Sequence, residues 1–212
     1  MPALSVLQDM VYAYLGTTSS NQLYTPARVT RWINDAYNAL VDDMPGAMVT
    51  KEATLAADSS TSRVYTLSSQ TPVITDWRQF REVRLTDSEG ALLRPLPYDQ
   101  LRDWTGDRYA VRDPDETVKL VLSSTLTAGS AVWVLYSYWP AELSAASDVP
   151  STVPSRYHDL IALSAAEMAF PAGNEATFPA VYAAKKVDRY AQFLDHVTRR
   201  GTDAMPIRHI AA

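Results

Sequence analysis

The histidines are the residues best suited to acid–base catalysis or metal binding, and the chain has three: His158, His196 and His209. Their separations match neither HxxxH nor HExxH, the spacings at which one helix face presents two imidazoles to zinc. We interpret His158 as a surface or capping residue at a helix start. His196 lies near a predicted helix C-terminus, where the helix dipole stabilises a cation, and His209 lies in the C-terminal tail. The histidines therefore predict no metal site.

Other catalytic signatures are missing from the sequence. There is no cysteine, which excludes disulfides, thiolate zinc sites and cysteine nucleophiles, and there is no GxSxG, Walker A or GxGxxG motif. The run DPDE at 113–116 and the segment SDVP around Asp148 carry carboxylates that could hold a cation. Their prolines favour turns instead. We predict that the protein is not an enzyme and takes no cofactor and no metal.

Aromatic side chains suggest one binding activity. Four of them cluster in one predicted strand: Trp133, Tyr136, Tyr138 and Trp139. Exposed rings on a sheet can bind the flat apolar faces of sugars, whereas strand alternation buries half of such a cluster and leaves the rest for an interface. A β-rich carbohydrate-binding module is therefore an alternative to a structural role.

Composition narrows the class of protein further. The 212 residues are 47% hydrophobic and 20% charged, as in ordinary folded domains, and the formal net charge is −5. An acidic balance argues against a tight grip on DNA phosphates but allows DNA to pass without adhering. No apolar run is long enough to cross a bilayer, and the N-terminus lacks the basic region of a secretory signal. We expect no membrane partner.

Two helices are predicted at the N-terminus, over 4–15 and 25–44. Gly16 is a C-cap for the first, and Thr25 and Pro26 form the N-cap and first turn of the second. The second helix has a wide apolar stripe. Its members are Val29, Trp32, Ile33, Ala36, Tyr37, Leu40, Val41 and Met44.

The pattern from 47 to about 140 changes to short runs of alternating apolar and polar residues separated by turns. Val83 and Leu85 alternate with charged neighbours, and the run DSEGA at 87–91 is typical of a hairpin turn. We predict a small antiparallel sheet or sandwich.

Helices are predicted again after the proline-rich segment 147–157, first over 158–170 and then over 176–199. Ser151 or Ser155 can cap the first, whose many alanines predict packing on several sides. Gly201 can cap the second. The apolar stripe predicted for that last helix is Phe178, Val181, Tyr182, Val187, Tyr190, Ala191, Leu194 and Val197.

These elements predict an α+β fold. The N- and C-terminal helices form one helical bundle, since each half has a stripe to bury, and an antiparallel β-rich subdomain is inserted between them. The predicted limits are 1–46 and 147–200 for the bundle, 47–146 for the insert and 201–212 for an extended C-terminal tail. The tail is rich in Met, Pro and Ile, which are poorly solvated, so it either folds back on its own domain or docks on another chain; we predict docking.

Two motifs give the chain a recognisable pattern. WIN-x-AY occurs in the second helix, and a Y-x-Y-x-P strand leads through L…SD-x-P…P into a helix that begins near YHDLI. In this order they resemble the head–tail adaptor (connector, or head-completion) proteins of tailed bacteriophages. The matching positions are Trp32, Ile33, Asn34, Ala36, Tyr37, Tyr136, Tyr138, Pro140, Leu143, Ser147, Asp148, Pro150, Pro154, Tyr157, His158, Asp159, Leu160 and Ile161.

The resemblance implies a structural virion protein at the head–tail junction, assembled in the cytoplasm of the host bacterium. It implies a dodecameric ring of this chain between the portal protein and the next neck or tail protein, through which viral DNA passes without specific binding. A tail terminator, or another neck or tail protein, is the alternative.

Two sets of residues are predicted to make the contacts of this ring. The portal contacts in the tail are Met205, Pro206, Ile207, Arg208, His209 and Ile210. The residues predicted to pack the bundle and its subunit interfaces are Trp32, Tyr37, Tyr157, Leu160, Ala165 and Ala166.

Overall fold

A computed structural model describes residues 2–45, 49–85, 90–101, 106–112, 117–173 and 178–203, with side chains up to 199. The chain divides into two compact units. Residues 1–49 and 140–212 form one, here the helical unit, and residues 50–139 form the other, the β unit. The elements in chain order are α1 (Leu4–Leu15), α2 (Pro26–Asp42), β1 (Thr50–Leu55), β2 (Val64–Thr66), β3 (Trp77–Leu85), β4 (Arg94–Pro95), α3 (Tyr98–Leu101), β5 (Arg108–Arg112), β6 (Lys119–Leu122), β7 (Val132–Tyr138), α4 (His158–Ala169) and α5 (Ala180–Asp203). The predicted α+β class is confirmed.

The first two helices begin and end where local chemistry predicts. Gly16 ends α1 in the left-handed region at φ 63°, which a glycine adopts without steric cost. The Thr25 hydroxyl accepts a hydrogen bond from the Arg28 N–H at 3.5 Å, and Pro26 starts α2. Most of the predicted α2 stripe is buried, and Trp32 is half-buried.

Helix α4 is the centre of the helical unit. It packs against α1, α2 and α5, and nearly every side chain along it is buried, as its alanines predict. The predicted serine cap is wrong. Ser155 belongs to a short 3₁₀ turn over Ser155–Tyr157, and Tyr157 occupies the cap position of α4 without a side-chain hydrogen bond.

Helix α5 differs from its prediction in length and in its buried side. It continues to Asp203, so Gly201 lies inside the helix and does not cap it. Val181 and Val187 are exposed, whereas Phe193, outside the predicted stripe, is fully buried. The helix packs against α4, Tyr182 also contacts Tyr14 of α1, and the exposed Val181 and Val187 lie on the side opposite the buried Phe193 and Val197.

The β unit contains two sheets. One is antiparallel with the strand order β1-β7-β3, and the other has the order β2-β6-β5-β4. Pairing in the second sheet is antiparallel except between β4 and β5, whose connection runs through α3 and returns the chain in the same direction. The core of this unit includes Leu55, Tyr65, Leu67, Phe80, Val83, Leu120, Leu122, Val132, Val134 and Tyr136.

The predicted turns of the β unit are only partly described. Residues 87–89 of the predicted hairpin turn, and the whole DPDE run at 113–116, lie outside the described residues. On either side of the first gap, the Leu85 N–H donates to the Ala91 carbonyl at 3.1 Å, and the Leu93 N–H donates to the Val83 carbonyl at 2.8 Å. The chain therefore returns along β3.

Candidate assembly site

The two motifs of the sequence meet in the helical unit, at a segment that we call the lead-in segment (residues 140–157). Asn34, on α2, binds the backbone of Leu143 twice. Its amide nitrogen donates to the Leu143 carbonyl at 3.0 Å, and its amide oxygen accepts from the Leu143 N–H at 2.9 Å. Because a primary amide has both groups side by side, it pairs with an extended backbone as a neighbouring strand does. Asn34 thus holds the start of the lead-in segment on α2.

The same segment caps helix α1. The first N–H groups of a helix have no partner inside it, and Ala3 at the cap position supplies no side-chain bond. Carbonyls of the lead-in segment take that role. The Leu4 N–H donates to the Asp148 carbonyl at 2.7 Å, and the Ser5 N–H donates to the Ala146 carbonyl at 3.1 Å.

Asp148 also closes a turn within the segment. Its Oδ2 accepts hydrogen bonds from the Ser144 N–H at 2.8 Å and the Ala145 N–H at 2.7 Å. These backbone bonds, the one from Ser144 foremost, lower the pKa of the Asp148 carboxyl. The turn predicted at SDVP is confirmed, and the carboxylate is occupied by backbone donors.

The end of the lead-in segment is held by Tyr37 and His158. The Tyr37 hydroxyl accepts from the Thr152 N–H at 3.2 Å, and His158 Nε2 lies 2.9 Å from the Val153 carbonyl oxygen, to which it donates as an N–H. His158 is only 1% exposed, so its interpretation as a surface or capping residue is wrong. Burial lowers the pKa of this imidazole, which favours its neutral form.

Helix α5 is attached to the start of α4 through charged and polar side chains. Arg189 forms a two-pronged ion pair with Asp159, at 2.9 Å from Nε to Oδ2 and 2.8 Å from Nη2 to Oδ1. It also donates to the Arg156 carbonyl. The Tyr157 hydroxyl donates to the Gln192 carbonyl at 3.0 Å. No sequence pattern predicts the Asp159–Arg189 pair, because its two members lie on different helices.

His196 contributes packing rather than a helix-end charge. Its ring lies 5.6 Å from the Tyr157 ring, and Nδ1 contacts the Arg156 guanidinium. Since α5 ends at Asp203, about two turns beyond His196, the predicted stabilisation by the helix C-terminus does not apply. The residues described by the structure include no cluster of three or more metal-ligating side chains.

Comparison with known proteins identifies the family. Over residues 2–209 the chain matches the family model described as SU10 adaptor protein. The chain belongs to the SU10 adaptor protein family. This is a family of phage head–tail adaptors, so the resemblance seen in the two motifs is confirmed. No curated protein sequence matches the chain.

The family makes this chain a bacteriophage adaptor protein and a virion component, of a kind that is structural rather than enzymatic. None of the helices in the described part of the adaptor combines the length and apolarity that crossing a bilayer demands.

The aromatic cluster of the adaptor does not form one exposed platform. Tyr136 is buried in the core of the β unit and Tyr138 packs against that core, while Trp133 points to the other face of β7 by strand alternation. Trp139 is 44% exposed beyond the strand, and the Arg78 guanidinium lies 4.3 Å from its ring centroid. A sugar-binding surface built from all four rings is therefore not present.

The residues predicted to pack subunits lie mostly inside the adaptor itself. Those buried are Tyr37, Tyr157, Leu160, Ala165 and Ala166, and only Trp32 is partly exposed. Contact of any of them with a neighbouring subunit stays a prediction. The predicted portal contacts Met205, Pro206, Ile207, Arg208, His209 and Ile210 lie outside the described residues.

Proposed function

We propose that this adaptor forms a dodecameric ring at the head–tail junction, between the portal protein and the next neck or tail protein. Membership of a phage adaptor family over residues 2–209 is the observation that supports this role. In this proposal the ring assembles in the cytoplasm of the host bacterium and becomes part of the virion. The alternative, a tail terminator, differs from this proposal in its partner: a terminator binds the tail tube, whereas an adaptor binds the portal.

The contacts of the lead-in segment suit a static ring component. Asn34 and Tyr37 hold the segment on α2, its carbonyls cap α1, and His158 joins it to α4. A unit whose helices are joined in this way keeps its outer surfaces in fixed positions, which lowers the entropic cost of assembly.

The ring lines part of the DNA conduit in this proposal. The net charge of −5 favours passage over adhesion, because phosphates are repelled by an acidic wall. We expect the purified protein to leave duplex DNA unshifted in an electrophoretic assay at physiological salt. Retention of DNA at that salt would argue against the conduit as described.

The C-terminal tail, residues 201–212, is proposed to dock on the portal through its apolar residues. We also propose the domain boundaries predicted from the sequence. They are 1–46 and 147–200 for the helical bundle, 47–146 for the β-rich insert and 201–212 for the tail. A deletion of residues 204–212 removes the segment beyond α5 and leaves the described helices intact.

The deciding experiment compares the full chain and this deletion in particle assembly. We expect the full chain at the head–tail junction in electron micrographs of particles, and we expect the deletion to keep its circular dichroism spectrum and melting temperature but lose capture by purified portal. A folded deletion that still binds portal would refute the tail contact. Capture by tail tube but not by portal would favour the terminator alternative.

A further inference from the structure

The outer side of α5 carries two strongly exposed valines. Val181 is 76% exposed and Val187 is 69% exposed, the highest values among the exposed large hydrophobic residues of the described chain. Ala184 and Ala191 are exposed on the same side, and Asp188 lies among them. On the opposite side Phe193 and Val197 are buried. We call this surface the α5 ridge; it consists of Val181, Ala184, Val187, Asp188 and Ala191.

A cleft beside α2 has the charge and the apolar wall that could receive the α5 ridge. It measures about 380 Å³ and is lined by Arg28, Arg31, Trp32, Asp35 and Ala172. Both arginines are exposed, and the partly exposed Trp32 supplies an apolar wall. We call this surface the α2 cleft.

The two surfaces have opposite charge at their centres. In the α5 ridge the carboxylate of Asp188 is exposed; Gln192 donates to its Oδ2 at 2.8 Å, so Oδ1 can accept a further bond. In the α2 cleft, Arg28 and Arg31 carry two positive charges against the single carboxylate of Asp35, so the cleft is positive on balance. One nitrogen of Arg28 donates to the Leu23 carbonyl at 3.3 Å, and guanidinium groups have further donors that pair with carboxylates. The small alanines and valines of the ridge leave room for the ring of Trp32.

A cyclic ring needs two different surfaces on one subunit, because its contacts are head-to-tail rather than self-complementary. We infer that the α5 ridge of one adaptor subunit binds the α2 cleft of the next, with Asp188 facing Arg28 and Arg31 across the contact. This inference rests on the proposed ring. It also moves the subunit contact away from Ala165 and Ala166, which are fully buried inside their own chain.

Site-specific cross-linking tests the contact directly, because the chain contains no cysteine. Two single-cysteine variants, Ala184→Cys on the ridge and Ala27→Cys beside the cleft, are co-assembled with different tags and treated with a short bis-maleimide. Both positions are exposed. The matched control replaces Ala27→Cys by Ala39→Cys, an exposed alanine on the same helix about 18 Å further along its axis.

We expect a cross-linked pair from Ala184→Cys with Ala27→Cys and little from Ala184→Cys with Ala39→Cys. Rings that are intact in electron micrographs but give no preferred cross-link would overturn the inference and leave the proposed ring standing. Particles without any ring of this chain would overturn both. Cross-linking of Ala184→Cys to a different virion protein would also overturn it.

Charge reversal provides a second test with its own rescue. Arg31→Glu and Asp188→Arg are each expected to lower ring yield about tenfold, and the double variant is expected to recover most of it. Melting temperatures equal to that of the unmodified chain show that the variants fold. Equal ring yields for both single variants would contradict the predicted contact.

Discussion

Asn34 on α2 binds the backbone of Leu143 through two hydrogen bonds, across a separation of 109 residues. The two residues belong to the two motifs on which the resemblance to the family rests. The contact makes the lead-in segment part of the helical unit, where it caps α1 and contacts α4. Removing the Asn34 side chain is the most direct way to test whether the motif residues stabilise the helical unit.

Replacement of Asn34 by alanine is expected to lower the free energy of unfolding by about 1–3 kcal/mol, because it leaves two partly buried backbone groups of Leu143 unpaired. Urea unfolding, followed by circular dichroism and tryptophan fluorescence, measures this loss. Asn38→Ala is the matched control, a half-buried asparagine one turn further along the same helix. Equal losses for the two variants would show that the Leu143 contact contributes nothing specific.

The helical unit is expected to lose stability in acid through His158. Burial lowers the pKa of this imidazole below its ordinary value of 6.5, so the unfolded chain binds the proton more readily than the folded one. The contribution is complete above pH 6.5 and is lost as the pH falls through the lower folded pKa. Melting temperatures between neutral pH and mildly acidic pH measure the loss.

The His158→Phe variant separates this effect from general acid sensitivity. It is expected to be less stable at neutral pH, since the Val153 carbonyl loses its donor, and to show a weaker dependence on pH below 6.5. His196→Gln, which removes a half-buried histidine from α5, serves as the comparison for the loss of a histidine other than His158. A His158→Phe variant with the full acid loss would place the sensitive group elsewhere.

The β unit is expected to lose stability in alkali through Tyr136. Burial, followed by the charge and hydrogen bond of Asp76, raises the pKa of this phenol to about 12 from 10.0. The unfolded chain therefore ionises first, and the contribution is complete below pH 10.0 and is lost as the pH rises through about 12. Absorbance of tyrosinate follows the ionisation.

Tyr136→Phe should abolish the ionisation step near pH 12 while leaving the other tyrosine steps in place. Tyr98→Phe is the control, because Tyr98 is 44% exposed at the surface of the same unit. If the step near pH 12 persisted in Tyr136→Phe, the buried phenol would not be its source.

The ion pair between Arg189 and Asp159 is expected to contribute about 1 kcal/mol of coupling, since it is two-pronged and partly buried. A double-mutant cycle with Arg189→Gln and Asp159→Asn measures it by chemical denaturation. The exposed pair Arg199–Asp195 on the same helix is the matched comparison and should contribute about 0.3–0.5 kcal/mol. A coupling at Arg189 no larger than at Arg199 would mean that the fork geometry adds nothing.

Local interactions explain which parts of the fold were predictable. Thr25 bonds the N–H three residues later and Gly16 needs only its own left-handed φ, so the limits of α1 and α2 follow from neighbouring residues. The class of the β unit followed from strand alternation for the same reason. The parallel pair β4–β5 did not, because a two-residue strand has no period to recognise.

The sequence was enough to single out the residues of the candidate site, but not to predict which of them contact each other. Asn34 and Leu143 are both motif residues, yet nothing in either stretch states that one binds the other. The burial of His158 depends on the lead-in segment lying over it, and its sequence position at a helix start suggested a surface residue instead.

The amino-acid sequence alone was enough to indicate the family, the α+β class and the main helices of this adaptor, because caps and periodicity are properties of neighbouring residues and motif order is read directly from the chain. The tertiary structure was needed for the partners of those residues. It showed that Phe193 is buried, that Val181 and Val187 are exposed, and that Asn34 binds Leu143. Periodicity shows where the apolar residues of a helix lie, but which of them are buried depends on the elements that pack against that helix.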